Sequence, residues 1–250
     1  MQPFIGILLG FTLILTRISA FFVVLPVFGS EIIPVRLKAA AAVLVTIFFS
    51  MVTTLPFDAA KVTALQAGLL IAGEAFYGLA LGLIANCIFA VVRLAGRIIE
   101  QQMGLDIAQV VDPLTGESAD PLSMFLEIIF IVVFLAANGH HLLLMVISRS
   151  YQDFAPGTVP AIPVMVEAVA KSGSVMFVAA LRLAAPMLAA FLLLIVIIAV
   201  LARIVPEMDI FFLSFPLRVG FGLFITAMFI PFIGSFVSEF AGWMGKLLPI

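Results

Sequence analysis

The sequence predicts an all-α membrane protein with about six hydrophobic helical segments. Its 250 residues are 64% hydrophobic and only 10% charged. Soluble domains carry about 25% charged residues, so this composition could not cover a water-soluble surface. The charges separate apolar runs of about 18 to 21 residues, and a helix of that length crosses roughly 30 Å of hydrocarbon. These runs cover residues 39–57, 75–92, 128–148, 183–202 and 219–238.

The first three predicted helices cover about residues 4–28, 39–57 and 65–92. The first has no Lys or Arg before its apolar run and no small-x-small cleavage site after it, so we expect it to be retained rather than removed as a signal peptide. Lys38 precedes the second helix directly, and Arg93 ends the apolar run of the third.

The last three predicted helices cover about residues 125–148, 175–203 and 211–245. No stretch outside the apolar runs exceeds about 35 residues, which is too short for a separate hydrophobic core. We therefore expect a single membrane domain over residues 1–250.

Prolines lie within or beside several of these runs. Each proline removes a backbone donor, which neighbouring helices or water must compensate at membrane depth. We expect several helices to be broken by Pro or Gly and walled in by an assembly. The positions concerned are Pro26 with Gly29, Pro186, Pro216 and Pro231.

Arg17 lies midway along the first apolar run. A charge at such a depth costs from about 3 to more than 10 kcal/mol, so Arg17 needs a partner. Glu74 at the head of the third helix, a helix C-terminus and a carboxylate of another subunit all qualify. A structural ion pair and a role in conduction both stay open.

Two glycine pairs have helical spacing. Gly6 with Gly10, and Gly78 with Gly82, are each four residues apart and share one face of their helix. Small residues let helix backbones approach closely in lipid. We interpret both pairs as helix-packing faces, within this chain or between subunits.

Residues 104–121 are predicted to form a central loop. Asp112-Pro113, Gly116 and Asp120-Pro121 are turn-forming residues, and residues 104–108 before them are small or apolar around one acid. Two interpretations stay open. An apolar loop tip held between membrane helices would close a pore, whereas a solvated acidic connector would have no such role.

No pattern typical of an enzyme or a cofactor site is present. The sequence lacks Gly-x-Ser-x-Gly, His-Glu-x-x-His and a phosphate-binding glycine loop. His140 and His141 are adjacent, so their side chains should diverge by about 100° on a helix and not chelate one metal. The net charge of −2 includes no basic cluster of the kind that nucleic acids require. We expect no catalysis, cofactor, metal or nucleic-acid partner.

Three features stand out at the centre of the chain: AGRIIEQQMGL at residues 95–105, Asp112-Pro113, and FLAANGHHLLL at residues 134–144. These features, and six further strings along the chain, resemble the FliR family of flagellar export-gate proteins and its SctT-like injectisome relatives. The match runs in order along nearly the whole chain and is therefore specific. The further strings are LTRISAF at 15–21, LPVFG at 25–29, IPVR at 33–36, RLAAPML at 182–188, ARIVPEMDIF at 202–211 and FPL at 215–217.

The resemblance implies a core subunit of the flagellar type III protein export gate. Such a subunit assembles helical hairpins with FliP-like and FliQ-like subunits in a hetero-oligomeric pore beside an FlhB-like protein. Unfolded flagellar proteins pass through the pore as substrates. The implied location is the bacterial inner membrane, with a multi-pass chain at the flagellar basal body.

The resemblance also implies that the central loop contributes to a plug that closes the pore. Ile107, Val110 and Val111 would be the apolar occluders, and Gly104 would be a hinge. The full set of gate candidates is Gly104, Leu105, Asp106, Ile107, Ala108, Val110, Val111 and Asp112.

A small-solute secondary transporter is the competing class, because six helices with broken segments also describe such proteins. A transporter should show an internal repeat and coordinating polar residues at mid-membrane, whereas no repeat is evident and Arg17 is the one deep charge. A scaffolding membrane protein and the equivalent injectisome subunit are the remaining alternatives. The sequence favours the flagellar branch over the injectisome.

Overall fold

The computed structural model describes residues 2–29, 34–53, 56, 62–105, 120–204 and 210–247, and all regular structure in these residues is helical. The prediction of an all-α membrane protein is confirmed. The helices are α1 (Gln2–Val24), α2 (Pro26–Gly29), α3 (Val35–Val52), α4 (Ala64–Met103), α5 (Pro121–Ala136), α6 (Gly139–Asp153), α7 (Ile162–Ile204) and α8 (Ile210–Leu247).

Among the residues that the structure describes, five helices are long and apolar enough to cross a bilayer. They are α1, α3, α4, α7 and α8, and the pair formed by α5 and α6 qualifies as a sixth span if the two are taken together. This result agrees with the predicted number of about six segments. α4 has 40 residues, because the polar stretch that begins at Arg93 continues the helix, and α7 has 43 residues and begins well before its predicted start.

The four prolines of the apolar runs differ in their effect on the helices. α1 ends before Leu25, which precedes Pro26, because a residue before proline is driven out of the helical region. Pro186 lies within continuous α7, and Pro216 and Pro231 lie within continuous α8. The turns on either side of these three prolines continue each helix around the missing donor.

The fourth predicted helix is two helices rather than one. Ala137 and Asn138 separate α5 from α6, and Asn138 has a φ of 60°. Asn tolerates this left-handed conformation better than most residues, and such a residue stops the helical hydrogen-bond ladder. α5 itself begins with Pro121, which suits the first helical position.

The chain divides into two compact units. The first contains Met1–Ile88, Asn138–Ser174 and Trp243–Ile250, and the second contains Phe89–Ala137 and Val175–Gly242. That one membrane domain covers residues 1–250 stays a prediction.

The core of the first unit is built around α1, which packs on α3. Leu13, Ile18, Phe21 and Leu25 of this region are fully buried. The ring of Phe49 on α3 lies 5.3 Å from the ring of Tyr151 on α6, measured between centroids. These contacts place α1 at the centre of its unit.

The core of the second unit contains an aromatic cluster. The ring centroid of Phe89 lies 5.6 Å from that of Phe130 and 5.2 Å from that of Phe134, in edge-to-face geometry. Phe191 on α7 meets Phe221 on α8 in the same way at 5.8 Å. Such pairs are favourable beyond the area they bury.

Candidate functional site

Arg17 lies in the middle of α1 with only 1% of its side chain exposed. Glu74, near the start of the long helix α4, is fully buried beside it. The Arg17 Nε donates to Glu74 Oε2 at 2.5 Å, and Nη2 donates to Oε1 at 2.9 Å. The structure therefore brings these two candidates together as a bidentate pair, the strongest geometry for arginine and a carboxylate.

The third guanidinium nitrogen of Arg17 turns to the end of α6. Nη1 donates to the carbonyl oxygens of Ser150 at 3.0 Å and Phe154 at 2.9 Å, and it lies 3.3 Å from Ser150 Oγ. The Ser150 carbonyl also accepts from the backbone N–H of Phe154 at 3.1 Å, and carbonyls at the end of a helix carry partial negative charge. A helix C-terminus and Glu74 were separate possibilities in the sequence, and Arg17 contacts both.

The remaining neighbours complete a closed polar cluster. Glu74 Oε1 also accepts a hydrogen bond from the backbone N–H of Gly157 at 2.6 Å. The rings of Tyr77 and Tyr151 lie 4.7 and 4.3 Å from the guanidinium carbon of Arg17, which is the geometry of a cation–π contact. The Tyr151 hydroxyl donates to the carbonyl of Ile14 at 3.1 Å.

This arrangement suits a fixed structural role for Arg17. Each of its three nitrogens already has an acceptor, and both partners of the ion pair are shielded from solvent. The guanidinium is therefore held by acceptors on α4 and at the end of α6.

The glycine pair on α4 faces α1. A Cβ added at Gly78 would collide with the carbonyl oxygen of Arg17 and lie 2.9 Å from Cβ of Ala20, and one added at Gly82 would lie 3.0 Å from the carbonyl oxygen of Phe21. The two helices therefore meet backbone to backbone. In α1 itself, Gly10 is buried and Gly6 is partly buried.

Two of the predicted gate residues are described by the structure. Gly104 follows the end of α4 with a φ of +77°, a conformation that favours glycine, and Leu105 comes next. The other candidates lie outside the described residues, and they are Asp106, Ile107, Ala108, Val110, Val111 and Asp112.

The sequence reasoning missed a row of charged side chains between α4 and α5. Arg93 donates through Nε to Glu127 at 2.8 Å and through Nη2 to the same carboxylate. Arg97 donates through Nε to Asp120 at 2.9 Å. The signal was present, because Arg93 and Arg97 are one helical turn apart, Asp120 lies at the end of the loop and Glu127 follows it.

The histidine pair has a different geometry from the one expected. The ring centroids of His140 and His141 are 4.3 Å apart, so the rings do not diverge. They lie in the first turn of α6, where the exposed His141 can swing toward its neighbour. Within the described parts of the chain, no three His, Cys, Asp or Glu side chains are grouped as a metal site would require.

Comparison with known proteins gives matches along almost the whole chain. The family model described as "Bacterial export proteins, family 1" matches residues 8–242. Flagellar biosynthetic protein FliR of Bacillus subtilis (strain 168) is 34% identical over 242 residues, covering 93% of this chain and 91% of that protein. The protein of the same name from Escherichia coli (strain K12) is 31% identical over 234 residues, covering 94% and 89% respectively. That from Aquifex aeolicus (strain VF5) is 26% identical, covering 89% and 86%.

Proposed function

Because the chain belongs to the FliR family of bacterial export proteins, we propose that it is a membrane subunit of the flagellar type III protein export channel. The observation that carries this proposal is the match over residues 8–242, together with relatives named FliR that are 34% and 31% identical along nearly their full lengths. Unfolded flagellar proteins are the proposed substrates.

The channel is proposed to be a hetero-oligomer with FliP-like and FliQ-like subunits beside an FlhB-like protein. The large apolar surfaces of this chain support an assembly of this kind. α7 exposes Leu192, Leu193, Val196, Ile197 and Val200 in one stretch. Apolar faces of this size need lipid or another protein to cover them.

We place the channel in the bacterial inner membrane, at the flagellar basal body, and propose no catalytic activity for this subunit. The five or six candidate spans support a multi-pass chain. The names of the relatives describe flagellar biosynthesis and not a chemical reaction.

Residues 104–112 are proposed to contribute to the plug that keeps the channel closed. Apolar side chains at a constriction exclude water and with it ions. The conformation of Gly104 supports a change of chain direction directly after α4. Deleting residues 105–111 should raise ion leak in cells that express the whole channel. A leak equal to that of the parent strain would contradict the plug.

The Arg17 cluster is proposed to hold α1, α4 and α6 together rather than to conduct ions. Its support is the acceptor found at each guanidinium nitrogen. Under this proposal, the energy for export is coupled elsewhere in the apparatus.

Deleting the gene in the bacterium that encodes this chain tests the export function. We expect flagellar proteins to disappear from the medium and to return when a tagged copy is supplied. Purification of that copy in mild detergent should recover FliP-like and FliQ-like subunits by mass spectrometry. Normal export in the deletion strain, or recovery of a lone homo-oligomer, would contradict the proposal.

A further inference from the structure

The contact between the end of α4 and the start of α5 has a polar composition that is unusual in such an apolar chain. We call it the seam, and it comprises Arg93, Gly96, Arg97 and Glu100 of α4 with Ser123 and Glu127 of α5 and Asp120 at the N-cap of α5. Arg93 pairs with Glu127, and Arg97 pairs with Asp120. These pairs align α5 along the last turns of α4.

The backbones of the two helices touch at the middle of the seam. A Cβ on Gly96 would lie 2.8 Å from Cα of Ser123. The Ser123 hydroxyl donates to the backbone carbonyl of Arg93 at 2.8 Å, and Ser123 is only 1% exposed. This contact leaves no room for water or for a side chain at residue 96.

Glu100 holds the first turn of α5 from outside that helix. Asp120 occupies the N-cap position of α5 but makes no capping hydrogen bond, and its carboxylate accepts from Arg97 instead. The backbone N–H of Ser123 points to Glu100 Oε2 at 3.4 Å, and Glu100 is 2% exposed. A carboxylate is favourable near the positive end of a helix.

The two sides of the seam differ in their access to water. Arg93 and Arg97 expose 56% and 54% of their side chains, whereas Glu127 and Asp120 expose 12% and 16%. Parting the helices would therefore separate the mostly buried carboxylates of Glu127 and Asp120 from these arginine donors. An unpaired buried charge is strongly unfavourable, so the closed seam should resist opening.

We infer that the seam is a positioning clamp, which keeps the start of α5 fixed on the end of α4 while protein passes through the channel. The movement that opens the channel then takes place outside this contact. The inference rests on the proposed export function. It adds that the two helix ends that flank the central loop stay in contact during export.

A cross-linking experiment tests the clamp in the full assembly. Arg97→Cys and Asp120→Cys are introduced together into a Cys87→Ser chain, because Cys87 is its only cysteine. Cells are treated with a short bis-maleimide or with a mono-functional maleimide, and export into the medium is measured. We expect equal export after the two treatments. Loss of export with the bis-maleimide alone would show that the helices must separate, and would overturn the inference.

Charge reversal tests the clamp without a linker. Arg97→Asp and Asp120→Arg should each lower the melting midpoint of the purified chain in detergent and reduce export several-fold, and the double reversal should restore both. Glu167→Arg, at an exposed carboxylate on α7, is the control and should change neither. Single reversals that leave the midpoint unchanged would overturn the clamp.

These outcomes are separable from a failure of the proposed function. If the unmodified chain does not restore export to a strain that lacks it, the export function fails before any seam variant is made. The melting midpoints do not depend on export, so they test the clamp whether or not the unmodified chain restores export.

Discussion

A single arginine in an apolar helix is stabilised here by partners on α4 and at the end of α6. Arg17 of α1 contacts Glu74 of α4, the last carbonyls of α6 and two tyrosine rings. No one of these is sufficient for a group with five N–H donors. Arg17 is therefore tolerated in an apolar helix because the groups that surround its side chain are polar.

Removing one partner of this pair should cost more than removing both. Arg17→Met leaves Glu74 buried and charged, so we expect a loss of about 3 to 5 kcal/mol in stability, as for other broken buried pairs. Arg17→Met with Glu74→Met should recover most of that loss. The measurement is thermal unfolding of the purified chain in detergent.

Arg149→Met, at an exposed arginine of α6, is the matched control and should change stability little. A double variant that is fully stable in its assembled complex yet blocks export would contradict the structural role and favour conduction.

For single residues, the sequence predicted that Arg17 is a buried charge in need of a partner, but it predicted only some of the partners. Arg17 was identifiable because a charge interrupts an apolar run, and Glu74 was one of several possible partners. The contacts with Ser150 and Phe154 lie 133 and 137 residues away in sequence and depend on where α6 ends. Periodicity does not reveal that position.

At the scale of the helix, close approach between α1 and α4 depends on missing side chains. Gly78 faces the backbone of α1, whereas Gly68 on the same helix has nothing within 4 Å of an added Cβ. The spacing of Gly78 and Gly82 pointed to a packing face, but the partner helix could not be read from the sequence.

Gly78→Ala and Gly68→Ala form a matched pair. Gly78→Ala should destabilise the chain by about 1 to 3 kcal/mol, because the methyl group overpacks the contact. Gly68→Ala should be neutral or stabilising by up to about 1 kcal/mol, since alanine is the better helix former. Melting midpoints of the two variants side by side check this. Equal midpoints would argue against a close crossing at Gly78.

The break between α5 and α6 depends on one residue. Asn138 is the one non-glycine with positive φ among the described residues. Asn138→Gly should be tolerated, and Asn138→Val should destabilise by about 1 to 2 kcal/mol because a branched Cβ is unfavourable in the left-handed region. The fraction of folded chain recovered from membranes is a suitable measurement. An Asn138→Val chain as abundant as the parent would show that the break lies elsewhere.

The helix limits show where sequence reasoning stops. The apolar runs located the helices, and the polar stretch after Arg93 was expected to continue α4, but α7 begins at Ile162, well before its predicted start at residue 175. Breaks were expected at some of the prolines, and Pro186, Pro216 and Pro231 lie inside continuous helices. Whether a proline interrupts a helix depends on what packs around the missing hydrogen bond, which one sequence does not show.

At the scale of the whole molecule, the helices are long for a single bilayer. α4 has 40 residues and α7 has 43, which correspond to about 60 and 65 Å at 1.5 Å per residue. A hydrocarbon layer of about 30 Å covers only half of such a helix. Their exposed apolar faces agree with a chain whose surface is completed by other subunits.

Assembly should bury the exposed face of α7. A cysteine at Ile197, which is 63% exposed in the single chain, should react with a small apolar maleimide when the chain is purified alone and react more slowly in the complex. A cysteine at Ala180, fully buried in the single chain, should stay protected in both. Equal labelling at residue 197 in the two preparations would indicate that lipid and not protein covers this face.

During synthesis, the partners of Arg17 are made well after Arg17 itself. Glu74 emerges from the ribosome 57 residues after Arg17, and the carbonyl of Phe154 emerges 137 residues after it. At roughly 5 to 20 residues per second, about 7 to 27 seconds pass before the last acceptor exists. Until then, the nascent first helix carries an incompletely solvated cation, so it should wait at a hydrated site of the insertion machinery and enter the lipid only with its later partners.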